Sequence, residues 1–314
     1  MKSDTALAVE LPQAAKFKKL DINSTKTCTC QLNHINCLTP KEWVKSQVGV
    51  WEFPYEKRDI RDKTVHPAVF PIGLPKKIIQ LFTHEGELVL DPFAGIGTTL
   101  VAAQDTNRNA VGFDIKKEYI ETAKKRLSQS RITTSIETKS KQLIINADAR
   151  DIPNYFENET ISLVVTSPPY ADMLNRARKN KSMRASSREN EHFGKNQQYS
   201  DDSRDLGTLP SKFFAKELAQ IYKGILPLLK QKSHAVININ DPWVDAVKYG
   251  KREPLHSYII EEMNSVGYEL RNVIIWDKRD LVNGVGIFGW PNNFIKLGST
   301  FEYILDFWKP PVLV

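Results

Sequence analysis

From Glu87 to the C-terminus the chain alternates short, β-branched apolar runs with amphipathic stretches of helical period, a pattern that leaves few folds open. The runs are ELVLD, NAVGFD, QLIINA, ISLVVT, HAVININ, LRNVIIW and FEYILDFW. Between them lie the helical stretches TTLVAAQDT, KEYIETAKKRLSQ, FFAKELAQIYKGILPLLK and LHSYIIEEMNSVG. Near-continuous apolar strands joined through helices imply a sheet covered on both faces, because each crossover between parallel strands lays a helix on one side of it. The expectation is one open α/β sheet of seven strands. A length of 314 residues accommodates one such domain with embellishment, not two domains and a linker.

Two regions break the rhythm. Residues 1–65 are polar and mixed, with an aromatic cluster in GVWEFPYEKRD, and read as an N-terminal extension packed across the sheet or near the active site. The segment 171–210 separates ISLVVT from its helix by far more than the usual connection in such folds, which marks a functional loop. Within it Arg176, Arg178, Lys179, Lys181, Arg184 and Arg188 follow one another with no intervening acid. Lys and Arg total 44 against 37 Asp and Glu, a net charge of +7 that agrees with a polyanionic partner.

No apolar run approaches the length needed to span a bilayer, so no membrane segment is expected. The first residues lack the apolar core and small-residue cleavage site of a secretory signal, and a cytoplasmic location is expected. Three cysteines, Cys28, Cys30 and Cys37, fall within CTCQLNHINC beside His34. Their spacing with His34 matches no standard zinc motif, and they read as reduced thiols of a cytosolic chain with no metal.

The strongest local signal is Asp91-Pro92-Phe93-Ala94-Gly95-Ile96-Gly97-Thr98-Thr99, at the end of a strand and running into a helix. Glycines there permit a tight turn and close approach of a ligand to the backbone, and the helix N-terminus offers unpaired N–H groups. A dinucleotide fingerprint would need glycine where Leu100 stands. Asp114 ends the next strand, where a carboxylate accepts hydrogen bonds from both ribose hydroxyls or caps the helix that follows. Asp148 reaches the same sheet edge after the third strand, to meet an adenine amino group or to close a turn.

The segment HPAVFPIGLPKKIIQLFTHEGELVLDPFAGIGTTLVAAQDTNRNAVGFDIKKEYIETAKKRL resembles the cofactor half of the bacterial DNA amino-methyltransferases. The resemblance implies a Rossmann-like, class I S-adenosylmethionine-dependent methyltransferase fold, mostly parallel with an antiparallel last strand. It implies that Asp91, Pro92, Phe93, Ala94, Gly95, Gly97, Thr98 and Thr99 form the turn around the methionine part of S-adenosylmethionine. Asp114 with Ile115 then takes the ribose, Asp148 faces the adenine, and the segment from His66 and Pro67 to Pro71 lines the pocket.

Ser167-Pro168-Pro169-Tyr170 follows ISLVVT and so falls on the same edge of the sheet. Two prolines remove two N–H donors and stiffen the loop into an acceptor wall. An exocyclic amine donates through its hydrogens, so the Ser167 hydroxyl and Pro168 carbonyl would hold it as its geometry turns tetrahedral. Tyr170 would stack on a base rotated out of the duplex. In the family the version of this motif that begins with Ser is mostly associated with N4-cytosine targets, and Asp with N6-adenine. No Pro-Cys nucleophile motif is present, which disfavours methylation at carbon.

The resemblance extends over residues 65–310, and the domain is read as 66–314 with a DNA-contacting insertion around 171–210. Many relatives place the catalytic half first; here the cofactor turn precedes SPPY, an order a circular permutation reconciles with one sheet. The expected partner is double-stranded DNA, with a restriction endonuclease as a functional counterpart. The six cations from Arg176 to Arg188 are the candidate DNA-reading loop, and Asn283 to Phe294, with Phe288 and Trp290, is a second. N6-adenine methylation of DNA and N2-guanine methylation of RNA are the alternatives.

Overall fold

The computed structural model describes residues 19–31, 33–60, 69–134, 139–174, 202, 204–244, 251–281 and 299–311. In chain order its elements are α1 (Pro40–Ser46), β1 (Val50–Glu52), α2 (Gly73–Phe82), β2 (Leu88–Asp91), α3 (Thr98–Asp105), β3 (Asn109–Asp114), α4 (Lys117–Thr134), β4 (Gln142–Asn146) and β5 (Ile161–Thr166). There follow α5 (Ser211–Ile225), β6 (Leu229–Ile239), β7 (Trp243–Val244), β8 (Lys251–Arg252), α6 (Leu255–Ser265), β9 (Glu269–Asp277) and β10 (Phe301–Trp308).

All seven expected strands form one sheet, and an eighth joins it, in the order β1-β9-β10-β6-β5-β2-β3-β4. Strand β10 runs antiparallel to both β6 and β9, as the resemblance implied, and every other pairing in this sheet is parallel, while β7 and β8 form a separate antiparallel pair. The added strand β1 comes from the N-terminal extension and pairs Trp51 with Trp276 at the sheet edge. It brings the aromatic cluster to the sheet's rim, since Trp51 and Phe53 pack with Trp276 in one hydrophobic core.

The central strands are buried on both faces, so their successive residues feed two cores. Leu88 and Leu90 point with Phe113 toward α5 and α6, meeting Phe214, Leu218, Tyr222 and Ile259. Val89 points the other way, with Leu163 and Val165, toward Ile78, Ile79, Leu100, Ala103 and Ala123 of α2, α3 and α4. The helix expected to run through LPLLK stops earlier. Pro227, lacking an N–H, ends α5 in a short 3-10 turn, and Leu229 already pairs with Ile161 as the start of β6.

After β1 at the edge, the chain enters the middle of the sheet with β2, moves outward through β3 and β4, and returns to place β5 on the other side of β2. That reversal opens a crevice beyond the C-terminal ends of β2 and β5, where open α/β sheets take their ligands. The N-terminal segment runs along the opposite end. Leu20 N–H donates to Tyr155 O and Thr27 N–H to Glu85 O, while Asn109 Nδ2 donates to Asn23 O. Among the described residues no helix is long and apolar enough to cross a membrane.

Candidate cofactor and catalytic site

A cleft of about 900 Å³, counting space open to solvent, lies over the crevice between β2 and β5. Its walls include Phe93, Ala94, Gly95 and Thr98 of the glycine turn, Asp114 and Ile115 after β3, Asp148 after β4, and all of Ser167 to Tyr170 after β5. Two motifs more than sixty residues apart in sequence therefore face one hollow. Pro92 also borders it.

Asp91, Gly97 and Thr99 support the turn from behind and do not line the cleft. Asp91 is 2% exposed, and its carboxyl accepts from Thr166 Oγ1 at 2.6 Å and from Phe93 N–H at 3.1 Å. Burial pushes this acid up to about 6. Gly97 adopts φ +78 as the residue before α3, and a Cβ there would stand 2.9 Å from Ala123 Cβ. Glycine at 97 suits the left-handed backbone and lets α3 approach α4 closely. Thr98 Oγ1 accepts from Arg126, whose guanidinium also reaches Ile96 O, and this fixes the start of the helix.

Asp114 accepts from Gly95 N–H and Lys116 N–H, both at 2.9 Å. The Gly95 N–H is thus engaged in holding the acid in place. Burial raises Asp114 to about 6 against the pull of these two amides. A carboxylate has roughly four acceptor positions, so two remain for a diol at the cleft wall.

Asp148 caps the short helical turn Ala149–Asn154 through Arg150 N–H, the turn-closing role foreseen for it. It also lines the cleft, with its carboxylate 3.1 Å from Arg150 Nη1 and 3.8 Å from Arg204 Nη1. Both arginines border the cleft and were not singled out from sequence, because nothing local marks a cation that folds back onto an acid.

On the catalytic side, Ser167 Oγ lies 3.1 Å from Tyr170 Oη. The Tyr170 hydroxyl donates to Glu302 Oε2 at 2.8 Å and accepts from Asn238 Nδ2 at 2.8 Å. Asn238 Nδ2 also reaches Glu302, and Lys278 Nζ pairs with the other Glu302 oxygen. This network ties the loop after β5 to β6, β10 and the end of β9. Tyr170 is only 6% exposed, and the next residue, Ala171, is held at φ +51, a left-handed conformation uncommon for alanine. Glu302, Asn238 and Lys278 sit on other strands, and sequence reading had no signal to connect them with SPPY.

His66 and Pro67 lie outside the described residues, as do Arg176, Arg178, Lys179, Lys181, Arg184 and Arg188 and the stretch 283–294. Val69 and Phe70, which follow His66, do line the cleft. Cys28, Cys30 and Cys37 converge, but their fourth neighbour is His84, not the His34 side chain.

Residues 9–125 match a family model described as DNA methylase, and residues 82–192 match one described as RMKL-like methyltransferase domain. The chain is 42% identical over 79 residues to the Type II methyltransferase M.HpaI of Haemophilus parainfluenzae, covering 25% of each chain. It is 36% identical over 103 residues to M.BglI of Bacillus subtilis, covering 32% of this chain and 28% of that one. The chain thus spans about a quarter of the length of these relatives. Among solved structures, a methyltransferase from Pyrococcus furiosus is 15% identical with a TM-score of 0.44, covering 78% of this chain and 85% of the other.

Proposed function

We propose, from the match of residues 9–125 to a DNA methylase model, that the chain methylates the N4 amino group of cytosine in duplex DNA. One observation carries the reading: the glycine turn and the Ser167–Tyr170 loop border the same cleft. The cofactor is S-adenosylmethionine, which supplies a methyl group on a cationic sulfur that is already a good leaving group.

The cleft fits that cofactor chemically. Its volume suits a nucleoside-sized ligand, Asp114 keeps acceptor positions for a ribose, and Asp148 offers an acidic edge beside it. The chain's own contribution is positional. The Ser167 hydroxyl and the proline-stiffened backbone beside it hold an exocyclic amine through its hydrogens, with its nitrogen aimed along the line of transfer. No strong base is needed, because the methylated nitrogen is acidic and sheds its proton afterwards.

An amino group inside a base stack is out of reach, so the base must rotate into the cleft, where the Tyr170 ring forms part of the wall. The six cations of the 171–210 segment neutralise phosphates in this reading, and the resemblance gives His66 and Pro67 a part in the cofactor pocket. The Ser-first motif favours cytosine over adenine, and a restriction endonuclease of matching specificity is the expected functional counterpart.

The test is transfer of labelled methyl from S-adenosylmethionine to duplex DNA, followed by mass analysis of the nucleosides. N4-methylcytosine supports the proposal. N6-methyladenine alone would refute the base assignment, and label entering RNA guanine but not DNA would replace the substrate class.

A further inference from the structure

The N-terminal segment and the loop between α2 and β2 bring four metal-ligating side chains to one point. Cys28, Cys30 and Cys37 meet His84, with one ligand atom from each and all of these atoms within 4.8 Å of one another. We propose that Cys28, Cys30, Cys37 and His84 form a structural Zn²⁺ site that clamps the N-terminal segment to the catalytic domain.

The two sulfur–nitrogen distances are those a tetrahedral site requires. With Zn–S near 2.3 Å and Zn–N near 2.0 Å, tetrahedral angles put sulfur about 3.5 Å from nitrogen and about 3.8 Å from another sulfur. Here His84 Nδ1 lies 3.3 Å from Cys28 Sγ and 3.5 Å from Cys37 Sγ. All three cysteines are free thiols, so no disulfide competes for them.

The surroundings are arranged as they are around bound zinc. His84 Nε2 stands 2.7 Å from His34 O, so the far nitrogen carries the proton and donates it. That leaves the Nδ1 lone pair directed at the thiols, the tautomer a metal requires. His34 therefore contributes its carbonyl to the site and not its ring. Glu85 N–H donates to Cys37 Sγ, a bond that stabilises a thiolate.

Charge is balanced as well. Three thiolates on Zn²⁺ leave one net negative charge, and Arg108, 3% exposed, acts electrostatically on both Cys28 and Cys37. Its guanidinium is oriented by Thr83 O, Thr83 Oγ1 and Thr106 O.

The location separates the site from the chemistry. His84 precedes β2, so the cluster lies at the N-terminal end of the parallel strands, opposite the cleft. Four protein ligands leave no open position for water or substrate, which is the pattern of a structural centre. Mixed sulfur and imidazole donors in this geometry suit zinc better than the hard cations. The clamp joins segments 47 residues apart at the Cys37–His84 pair, which is why no contiguous motif announces it.

The full chain, carrying no histidine tag and grown with added zinc, is analysed for metals and reactive thiols. About one Zn²⁺ per chain is expected, with the three cysteines shielded from a thiol reagent until a strong chelator is added. Chelation should lower the unfolding midpoint by about 10 °C. Co²⁺ in place of zinc should give tetrahedral d–d bands with thiolate charge transfer. Cys30→Ser and Cys37→Ser should lose the metal, and His84→Cys should keep it with an all-thiolate cobalt spectrum.

If the serine variants do not fold, the cobalt spectrum of the unaltered chain decides. Iron in place of zinc, three freely reactive thiols without a chelator, or an octahedral cobalt spectrum would each overturn the proposal.

Discussion

The hydroxyl of Thr166, at the end of β5, donates a 2.6 Å hydrogen bond to the carboxyl of Asp91, at the end of β2. Both groups are buried, and the bond joins the strand that carries the cofactor turn to the strand that delivers Ser167. The distance between the two halves of the site is therefore fixed beneath its floor, by side chains that do not line the cleft.

Replacing Thr166 with Val should loosen that tie. It removes a partner of a buried acid at similar side-chain volume, at a cost of about 1–3 kcal/mol. Urea unfolding checks the stability. The Asp91 acid should also rise above its value of about 6, because the hydroxyl is what favours its charged form.

Asp91 and Asp114 are both held near pH 6 by burial, well above an unfolded aspartate near 3.9. The folded chain thus binds these protons more tightly. Their contribution to stability is full below about pH 4 and is lost as pH rises through about 6. Binding of S-adenosylhomocysteine should run the other way and strengthen as pH climbs through 6, because Asp114, already accepting from two amides, can accept from both ribose hydroxyls only when ionised. Calorimetric titration between about pH 5 and 8 reads the second trend, and Asp114→Asn should flatten it.

Ser167→Ala should lower methyl transfer by about 10²–10³-fold while cofactor affinity and thermal midpoint hardly move. Among the described residues, the serine hydroxyl has a 3.1 Å contact with Tyr170 and a 3.4 Å contact with Asn238 to lose. Single-turnover rates alongside cofactor titration separate the two effects. A large drop in affinity would move Ser167 from the reacting amine to the cofactor.

Tyr170→Phe divides the ring from its hydroxyl. The ring stays in the cleft wall, and Glu302 loses a donor while keeping Asn238 and Lys278. A stability loss of about 1 kcal/mol is expected, with a slower transfer step from a less fixed loop. A fluorescent base analogue at the target should still report rotation into the site.

Gly86 follows His84 with φ +83, and a Cβ there would fall 2.5 Å from Thr27 Cγ2 and 2.8 Å from Thr25 O. Gly86→Ala should push the N-terminal segment off the domain, with a loss of about 2–4 kcal/mol from combined backbone strain and collision. Limited proteolysis should then cut ahead of residue 38 first, with the cleft still binding cofactor.

Much of the fold was legible because periodicity is local. Each of the seven strands of the core announces itself within eight residues, and the glycine turn and SPPY are contiguous words at strand ends. What was not legible depends on distant partners. Val50–Glu52 is three residues long and becomes a strand only because β9 offers it an edge. Glu302 reads as an acid in an apolar run until β10 is laid beside β6 and its carboxylate meets Tyr170 and Lys278. His84 is a lone histidine in a turn until the thiols arrive. Gly97 reads from sequence as a place where a ligand can approach, and its close contact with Ala123 of α4 appears only in the fold.

The pairing of Trp51 with Trp276 closes the sheet's edge between segments more than two hundred residues apart in sequence. Contacts of such long sequence separation form late, after most of the loop-closure entropy has been spent elsewhere. During synthesis the early aromatic segment must therefore wait, unpaired and open to wrong neighbours, until more than two hundred further residues have emerged. Slow growth temperature or a holding chaperone should for that reason improve recovery of this chain more than any change at its active centre.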